Sequence, residues 1–341
     1  MDRFDLVARS LRGGLTECWH FGALAVVDAA GTEVARIGDP EVPVFMRSAA
    51  KPLQAIAMLE LGLERVDIGS IDLALICASH GGCDLHTQRV LGLLARRQLA
   101  PEALLCGTQP PLDPQALGQL ASRGLEASVL HNNCSGKHAG MLLTCLEAGL
   151  SLGDYVDGAH PLQQRIAATV ARFCHLEPEA IGVGLDGCSL PTFRVPLSAV
   201  ARTYASFAAP IGLADAADRE RVERIYAAMT TAPEMVAGPG RFTTRLIEVG
   251  EGAILGKEGA DGLYALAARG ARPLGLALKI ADGTEICRDG VVLDILERLD
   301  LLDGVQLREL APFRRPERLN RRGRKVGEVV PEVALEIHAT A

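Results

Sequence analysis

The sequence predicts an α+β protein with an antiparallel sheet built from both ends of the chain, flanked by helices, and a largely helical middle. Three observations lead there. Residues 22–37, GALAVVDAAGTEVARI, read as a β-hairpin: an apolar run, an Asp-Ala-Ala-Gly turn, then alternation at Val34 and Ile37. From about residue 245, RLIEVGEGAILGKEG, GLYALAARG and PLGLALKIADG read as three short strands separated by Gly-rich turns, followed by a helix over 287–300. Between these ends the apolar spacing is helical, so the terminal strands can share one sheet with the helical region inserted between them.

The remaining elements follow in order. Residues 41–46 suit a short edge strand containing Pro43. A helix over about 49–61 carries apolar residues at Leu53, Ile56, Ala57, Leu59 and Leu61, a pattern that predicts burial rather than an amphipathic face. Helices are expected over 84–99, 112–127, 137–149, 161–174, 196–208 and 216–230. No linker rich in Pro, Gly or Ser separates independent domains, so residues 1–341 read as one unit. Its sheet-containing part spans about 1–68 and 240–341, and its helical part about 69–239.

Composition narrows the function. A length of 341 residues with 48% apolar and 23% charged residues fits a soluble globular chain. No uncharged run of 18 apolar residues appears, and the N-terminus lacks an apolar signal-peptide core, which predicts a cytoplasmic protein without membrane partners. A net charge of −7 and a single Trp19 argue against nucleic-acid binding. Nine cysteines without an export signal predict reduced thiols, most of them small buried hydrophobes. Of 35 cationic residues only Lys51, Lys137, Lys257, Lys279 and Lys325 are lysine. A lysine can lose its proton and act as base or ligand where arginine cannot.

Three of these lysines fall in motifs. In Arg47-Ser48-Ala49-Ala50-Lys51-Pro52, Pro52 is tolerated only in a first helical turn, so the helix begins near 49–51. Ser48 then sits at the helix start, where free N–H groups favour negative charge. Lys51, three residues on, would lie against the Ser48 hydroxyl and serve as its base; a Ser cap with a snorkelling Lys is the plainer reading. Lys257-Glu258-Gly259 ends a candidate strand, with Gly259 expected to leave open space beside it. An S-x-x-K before a helical region and a K-x-G on a late strand is the order seen in class A β-lactamases and penicillin-binding proteins, and Ser79 in Cys77-Ala78-Ser79-His80-Gly81-Gly82 can fill the place of their intervening loop serine. Cys134 and Lys137 share a helix face at i, i+3, and Cys188 is expected at the exposed tip of the tight loop 185–191. Two thiols and an amine can bind zinc; a redox thiol pair or two buried cysteines remain open. A second metal reading places Cys77, His80, Cys83 and His86, each three apart, around one ion.

Taken together, RSAAKPLQ, CASHGG, HNNCSGKHAGML, GLDGCSLPTF, TTAPEMVAGPGRFTT, GKEG and the C-terminal NRRGRKVGEVVPE resemble the Rhizobium etli-type L-asparaginases, the asparaginase II family. The resemblance runs from about residue 5 to 337. It implies a serine-β-lactamase-like fold, a homodimer, and hydrolysis of the side-chain amide of L-asparagine. It also implies two Ser–Lys pairs, Ser48 with Lys51 and Ser79 with Lys257, and a zinc site of Cys134, Lys137 and Cys188. Arg47, His80, Asn133 and Asp186 are implied near the substrate. A glutaminase, another amidase or a β-lactam hydrolase would use the same Ser–Lys logic, and a zinc- or redox-sensing thiol protein without turnover is the alternative from a different class.

Overall fold

The computed structural model describes residues 3–338. Strands β1 (Asp5–Arg12), β2 (Leu15–Asp28), β3 (Glu33–Ile37) and β4 (Pro43–Phe45) come first. Helices α1 (Lys51–Leu61), α2 (Ser70–Ile76), α3 (Asp84–Ala95), α4 (Pro114–Ser122), α5 (Ser135–Ala148) and α6 (Pro161–Cys174) follow, then β5 (Gly182–Leu185) and β6 (Pro191–Pro196). Next are α7 (Leu197–Ala208), α8 (Ala216–Thr231), α9 (Pro233–Val236) and α10 (Phe242–Val249), and then β7 (Ile254–Glu258), β8 (Leu263–Ala268) and β9 (Leu274–Ile280). The chain closes with α11 (Arg288–Arg298), α12 (Gly304–Glu309), α13 (Ala311–Arg314), β10 (Glu317–Leu319), β11 (Lys325–Pro331) and β12 (Glu336–Ile337). Among the described residues no helix is long and apolar enough to cross a membrane.

The backbone forms two compact units. The first holds the chain up to Val44, Val195–Gly212, and everything from Arg245 on. Its sheet runs β10-β11-β1-β2-β9-β8-β7, with β3 on β2 and β12 on β3. Strands from both ends of the chain therefore interleave, as the sequence predicts. The long β2 makes this possible. Its first half pairs with β1, and from Gly22 onward it pairs with β9 on one edge while Leu24–Val27 pair with β3 on the other. β7, β8 and most of β9 are buried throughout, so they read as continuous apolar runs rather than alternating ones. Helix α7 covers this sheet, packing on β2, β8 and β9.

The second unit holds Phe45–Arg194 and Leu213–Thr244. Helix α1 is buried from Lys51 through Leu59, as its apolar sequence predicts, and packs against α5, α6 and α8. This packing draws α1 into the helical unit, so the sheet-bearing part ends near residue 44 rather than 68. Conversely, α7 binds the sheet and leaves the helical part. Residues 245–249, read as part of a strand, complete α10 instead; the apolar pair Leu246 and Ile247 is too short a run for periodicity to separate strand from helix.

The contact between α7 and β9 is backbone to backbone. A Cβ on Gly275 would lie 2.1 Å from the Ala201 carbonyl oxygen and 2.2 Å from the Ala205 nitrogen. No flexible side chain can yield there. Gly275→Ala is expected to lower stability by about 2 kcal/mol or more, the scale of core overpacking, read as a fall in the thermal midpoint by circular dichroism. An unchanged midpoint contradicts this packing.

Candidate active site

Three element ends meet in the second unit: the start of α1, the loop after α2 and the start of α5. Pro52 in the first turn fixes where α1 begins, and Lys51 is its first residue, preceded by a 3-10 turn over Arg47–Ala50. Helix α2 stops at Cys77 and delivers Ala78, Ser79 and His80. Helix α5 crosses α2 in backbone contact: a Cβ on Gly136 would lie 2.5 Å from the Leu75 carbonyl oxygen. That close approach brings Asn133 and Cys134 to the Ser79 loop. Asn132 ties the start of α5 down, its Nδ2 donating to the Cys106 and Gly107 carbonyls and its Oδ1 accepting from the Cys134 N–H.

At the centre lies Lys51, 1% exposed. Its Nζ donates to the Ser79 hydroxyl at 3.0 Å, to the Ala78 carbonyl and to the Asn133 carbonyl at 3.3 Å. Three oxygen acceptors match the three donors of an ammonium group, which is what makes its burial tolerable. Spacing alone pairs Lys51 with Ser48, but the hydroxyl at hydrogen-bond distance is that of Ser79. Ser48 lies half-buried in the 3-10 turn, while the Lys51 amine reaches Ala78 and Ser79 where α2 ends. Ser79 itself is 3% exposed. Its N–H donates to the Val236 carbonyl at 2.9 Å, and its carbonyl accepts from Arg241 Nη1 at 3.3 Å.

A second cluster sits one step along α5. Lys137, 2% exposed, donates from Nζ to Cys188 Sγ at 3.3 Å, and the Cys134 and Cys188 thiols are hydrogen-bonded to each other. Cys188 is not the exposed loop tip the sequence suggests; it is 4% exposed, because its thiol turns inward onto Lys137 and Cys134. The hydrogen bond from Cys188, with the ammonium groups of Lys137 and Lys51, holds Cys134 well below the ordinary thiol range, while the same bond and burial push Cys188 up. Burial lowers Lys137, but the sulfur and Asp186 charges outweigh it and leave the group raised. Zn–S bonds of about 2.3 Å and Zn–N bonds of about 2.0 Å place neighbouring donors of a tetrahedral ion about 3.5 Å apart, close to the separation of Lys137 and Cys188. Two thiols and an amine suit zinc in chemistry, and the Lys137–Cys188 separation is compatible with two ligands of one ion.

The rim is charged. Arg47 Nε pairs with Asp186 Oδ1 at 2.9 Å, and Asp186 also accepts from the Gly187 N–H at 2.7 Å. Arg47 and Ser189 both have positive φ, 47° and 69°. Left-handed backbone at two non-glycine residues flanking Ser48 and Cys188 is the kind of strain that persists at working sites.

Two other sequence readings change. A Cβ on Gly259 would lie 2.8 Å from Leu263 Cβ, so the space beside it is filled rather than open. Lys257 lies in the other unit, on β7, fully buried, with its Nζ donating to the Glu258 carbonyl at 2.7 Å. The run Cys77, His80, Cys83 and His86 makes no metal cluster; among the described residues no group of three or more His, Cys, Asp or Glu is placed to hold an ion. Instead His86 bonds Cys83 through Nδ1 and the Glu234 carbonyl through Nε2, and stacks on His80 at 4.9 Å. His80 is fully buried and bonds Ser135 Oγ at 3.0 Å. Burial, with His86, Lys51 and Arg241 nearby, holds it well below the usual histidine range.

A family model described as L-asparaginase II matches residues 8–331. The chain belongs to the L-asparaginase II family. Comparison with curated proteins gives no match. Among solved structures it is similar to Mglu in its native form (TM-score 0.43, 13% identity, covering 84% of this chain and 66% of that one). It is similar also to Mglu in 4.3 M NaCl (TM-score 0.43, 12% identity, 84% and 63%). A beta-lactamase from Mycobacterium bovis is a third likeness (TM-score 0.39, 16% identity, 82% and 95%). The chain spans just under two thirds of the Mglu structures. Likenesses this distant leave the fold to the chain's own topology.

Sequence motifs did not single out Arg241, although it lies in the segment TTAPEMVAGPGRFTT. Its Nη1 joins the Ser79 and Ala237 carbonyls, clamping the serine loop onto the 236–241 segment. Arg241→Gln is expected to reduce kcat for amide hydrolysis by about ten- to a hundredfold, the scale of losing hydrogen bonds to a charged group, with Arg241→Lys between the two. Wild-type kcat in Arg241→Gln, measured by ammonia release, contradicts the clamp.

Proposed function

We propose that this protein hydrolyses the side-chain amide of L-asparagine to L-aspartate and ammonia, with serine hydroxyls activated by buried lysine amines. The observation that carries this reading is the hydrogen bond of buried Lys51 to Ser79 Oγ. When the ammonium loses a proton, its lone pair faces a hydroxyl. A buried amine beside a serine, with no solvent to compete, is the arrangement a general base needs.

The proposed sequence is acyl transfer. Ser48, the more accessible hydroxyl, attacks the amide carbon; its proton passes through Ser79 to Lys51. The C–N bond breaks and the proton returns to the departing nitrogen, releasing ammonia. Water, deprotonated by the same pair, then hydrolyses the acyl-serine to L-aspartate. Lys257 is assigned as the second amine on the strength of the motif order, which also supports the serine-β-lactamase-like fold. Backbone N–H groups at the start of α1 would hold the oxyanion, a role usually worth about 3 kcal/mol per donor.

The rim suits an amino-acid substrate. Arg47 and Asp186 present a cation and an anion side by side, complementary to an α-carboxylate and an α-ammonium. Asn133 and His80 belong to the same proposed site. Zn²⁺ is the proposed cofactor, held by Cys134, Lys137 and Cys188; when bound it supplies a Lewis-acidic centre that orients the substrate. The homodimer implied by the family resemblance, and a cytoplasmic location in keeping with nine free thiols, complete the proposal.

Ser48→Ala is expected to abolish ammonia release from L-asparagine with an unchanged circular dichroism spectrum, and Ser79→Ala to lower it by at least about a hundredfold. An active Ser48→Ala protein overturns the assignment of the attacking hydroxyl. The same assay with L-glutamine tests the glutaminase reading, ring opening of nitrocefin followed by its absorbance tests the β-lactam reading, and a protein that binds zinc but turns over no amide would be a sensor. For the metal, Cys188→Ala is expected to lose zinc in elemental analysis and to raise KM. Full zinc content in that variant contradicts the ligand set.

A further inference from the structure

Two residues of the run Cys77, His80, Cys83 and His86 face each other directly. Cys83 immediately precedes α3 and His86 lies in its first turn, and a spacing of i, i+3 brings the two side chains together. Cys83 Sγ lies 3.1 Å from His86 Nδ1. His86 Nε2 lies 2.9 Å from the carbonyl oxygen of Glu234, on α9. The thiol is part-buried, whereas the imidazole is fully buried and stacked on the His80 ring. The proposed amide hydrolysis uses neither Cys83 nor His86.

Hydrogen-bond chemistry sets the direction of this chain. A carbonyl oxygen can only accept, so Nε2 carries the ring proton and Nδ1 presents its lone pair to the sulfur. The proton shared by Cys83 and His86 is therefore the thiol's. A nucleophile, a base within hydrogen-bond reach and a third group that orients the base form the arrangement that activates a thiol. Burial holds His86 below the usual histidine range, so the ring is uncharged at neutral pH and free to take a proton. Burial also raises the Cys83 thiol, against the backbone N–H groups of His86 and Leu85. The sulfur thus keeps its proton at rest and yields it to His86 as it attacks. Cys18 is the exposed cysteine, on β2, and it has no hydrogen bond to a histidine among the described residues.

We propose that Cys83 is a modification site, a thiol that His86 activates toward small hydroperoxides. The sulfur attacks the terminal peroxide oxygen. An S–O bond forms, the O–O bond breaks, and the thiol proton passes by way of His86 Nδ1 to the departing oxygen. The sulfur is oxidised to a sulfenic acid, and the hydroperoxide is reduced to water and, from an alkyl hydroperoxide, to the alcohol in place of water. A part-buried sulfur favours a small uncharged electrophile of this class over an extended substrate. This chemistry is independent of amide turnover.

The test treats the full-length protein with dilute hydrogen peroxide in the presence of dimedone, which traps sulfenic acids, and reads each cysteine by peptide mass spectrometry. Cys83 is expected to be labelled at least about tenfold faster than Cys18, although Cys18 is the more exposed; a positioned base commonly supplies more than this. His86→Gln keeps an amide donor for the Glu234 carbonyl and removes the base. In that variant Cys83 labelling is expected to fall by at least about tenfold, with Cys18 labelling unchanged. Labelling of Cys18 as fast as Cys83 in the wild type overturns the proposal, and this comparison decides the matter even if His86→Gln fails to fold. Undiminished Cys83 labelling in a folded His86→Gln protein also overturns it. Ammonia release by the untreated protein judges the amidohydrolase reading separately.

Discussion

Burying an ammonium group is the constraint around which this site is built. An uncompensated charge inside a protein costs several kcal/mol, so each buried lysine demands a matched set of acceptors. Lys51 receives three oxygens: one from a serine side chain and two from backbone carbonyls on different elements. Those acceptors sit where they do only because α2 ends at Cys77 and α5 starts against it, and that crossing in turn requires a glycine at 136. Moving any one element end would leave the charge unmatched.

Lys137 shows a different solution to the same problem. Its hydrogen-bond partner is the Cys188 sulfur, with Cys134 beside it, and the two sulfurs and Asp186 hold the amine raised against the effect of burial. Two buried amines thus lie near the start of α5 in unlike settings, one bonded to three oxygens with the Cys134 sulfur nearby, the other bonded to sulfur. The oxygen setting is the one on which the proposed proton transfer rests, and the sulfur setting the one on which the proposed zinc site rests. Asn132 serves both, since it fixes the start of the helix that carries Asn133, Cys134 and Lys137.

The terminal hairpin, the late strands and most of the central helices were legible because their apolar spacing or turn residues are local signals. The rarity of lysine was more informative still: the three lysines inside motifs are the three that are buried, while Lys279 and Lys325 are not. What escaped was set by contacts distant in sequence. Nothing near Ser48 reveals that Lys51 turns toward Ser79, 28 residues on. Arg241 and the inward turn of Cys188 depend on loops meeting in space. Gly259, read as open space, is closed by Leu263 from the paired strand, and α7 joins the sheet because Gly275 lets it approach, a fact invisible in α7's own sequence.

The central claim is that the Lys51 amine moves the proton that makes a serine reactive. Replacing Lys51 by Met keeps the length and apolar stem of the side chain and removes only the amine, so the rate of ammonia release from L-asparagine by Lys51→Met tests it most directly. A fall of at least about a thousandfold, within the range of general-base contributions, with the protein still folded, is the predicted result. Turnover within tenfold of wild type would contradict it.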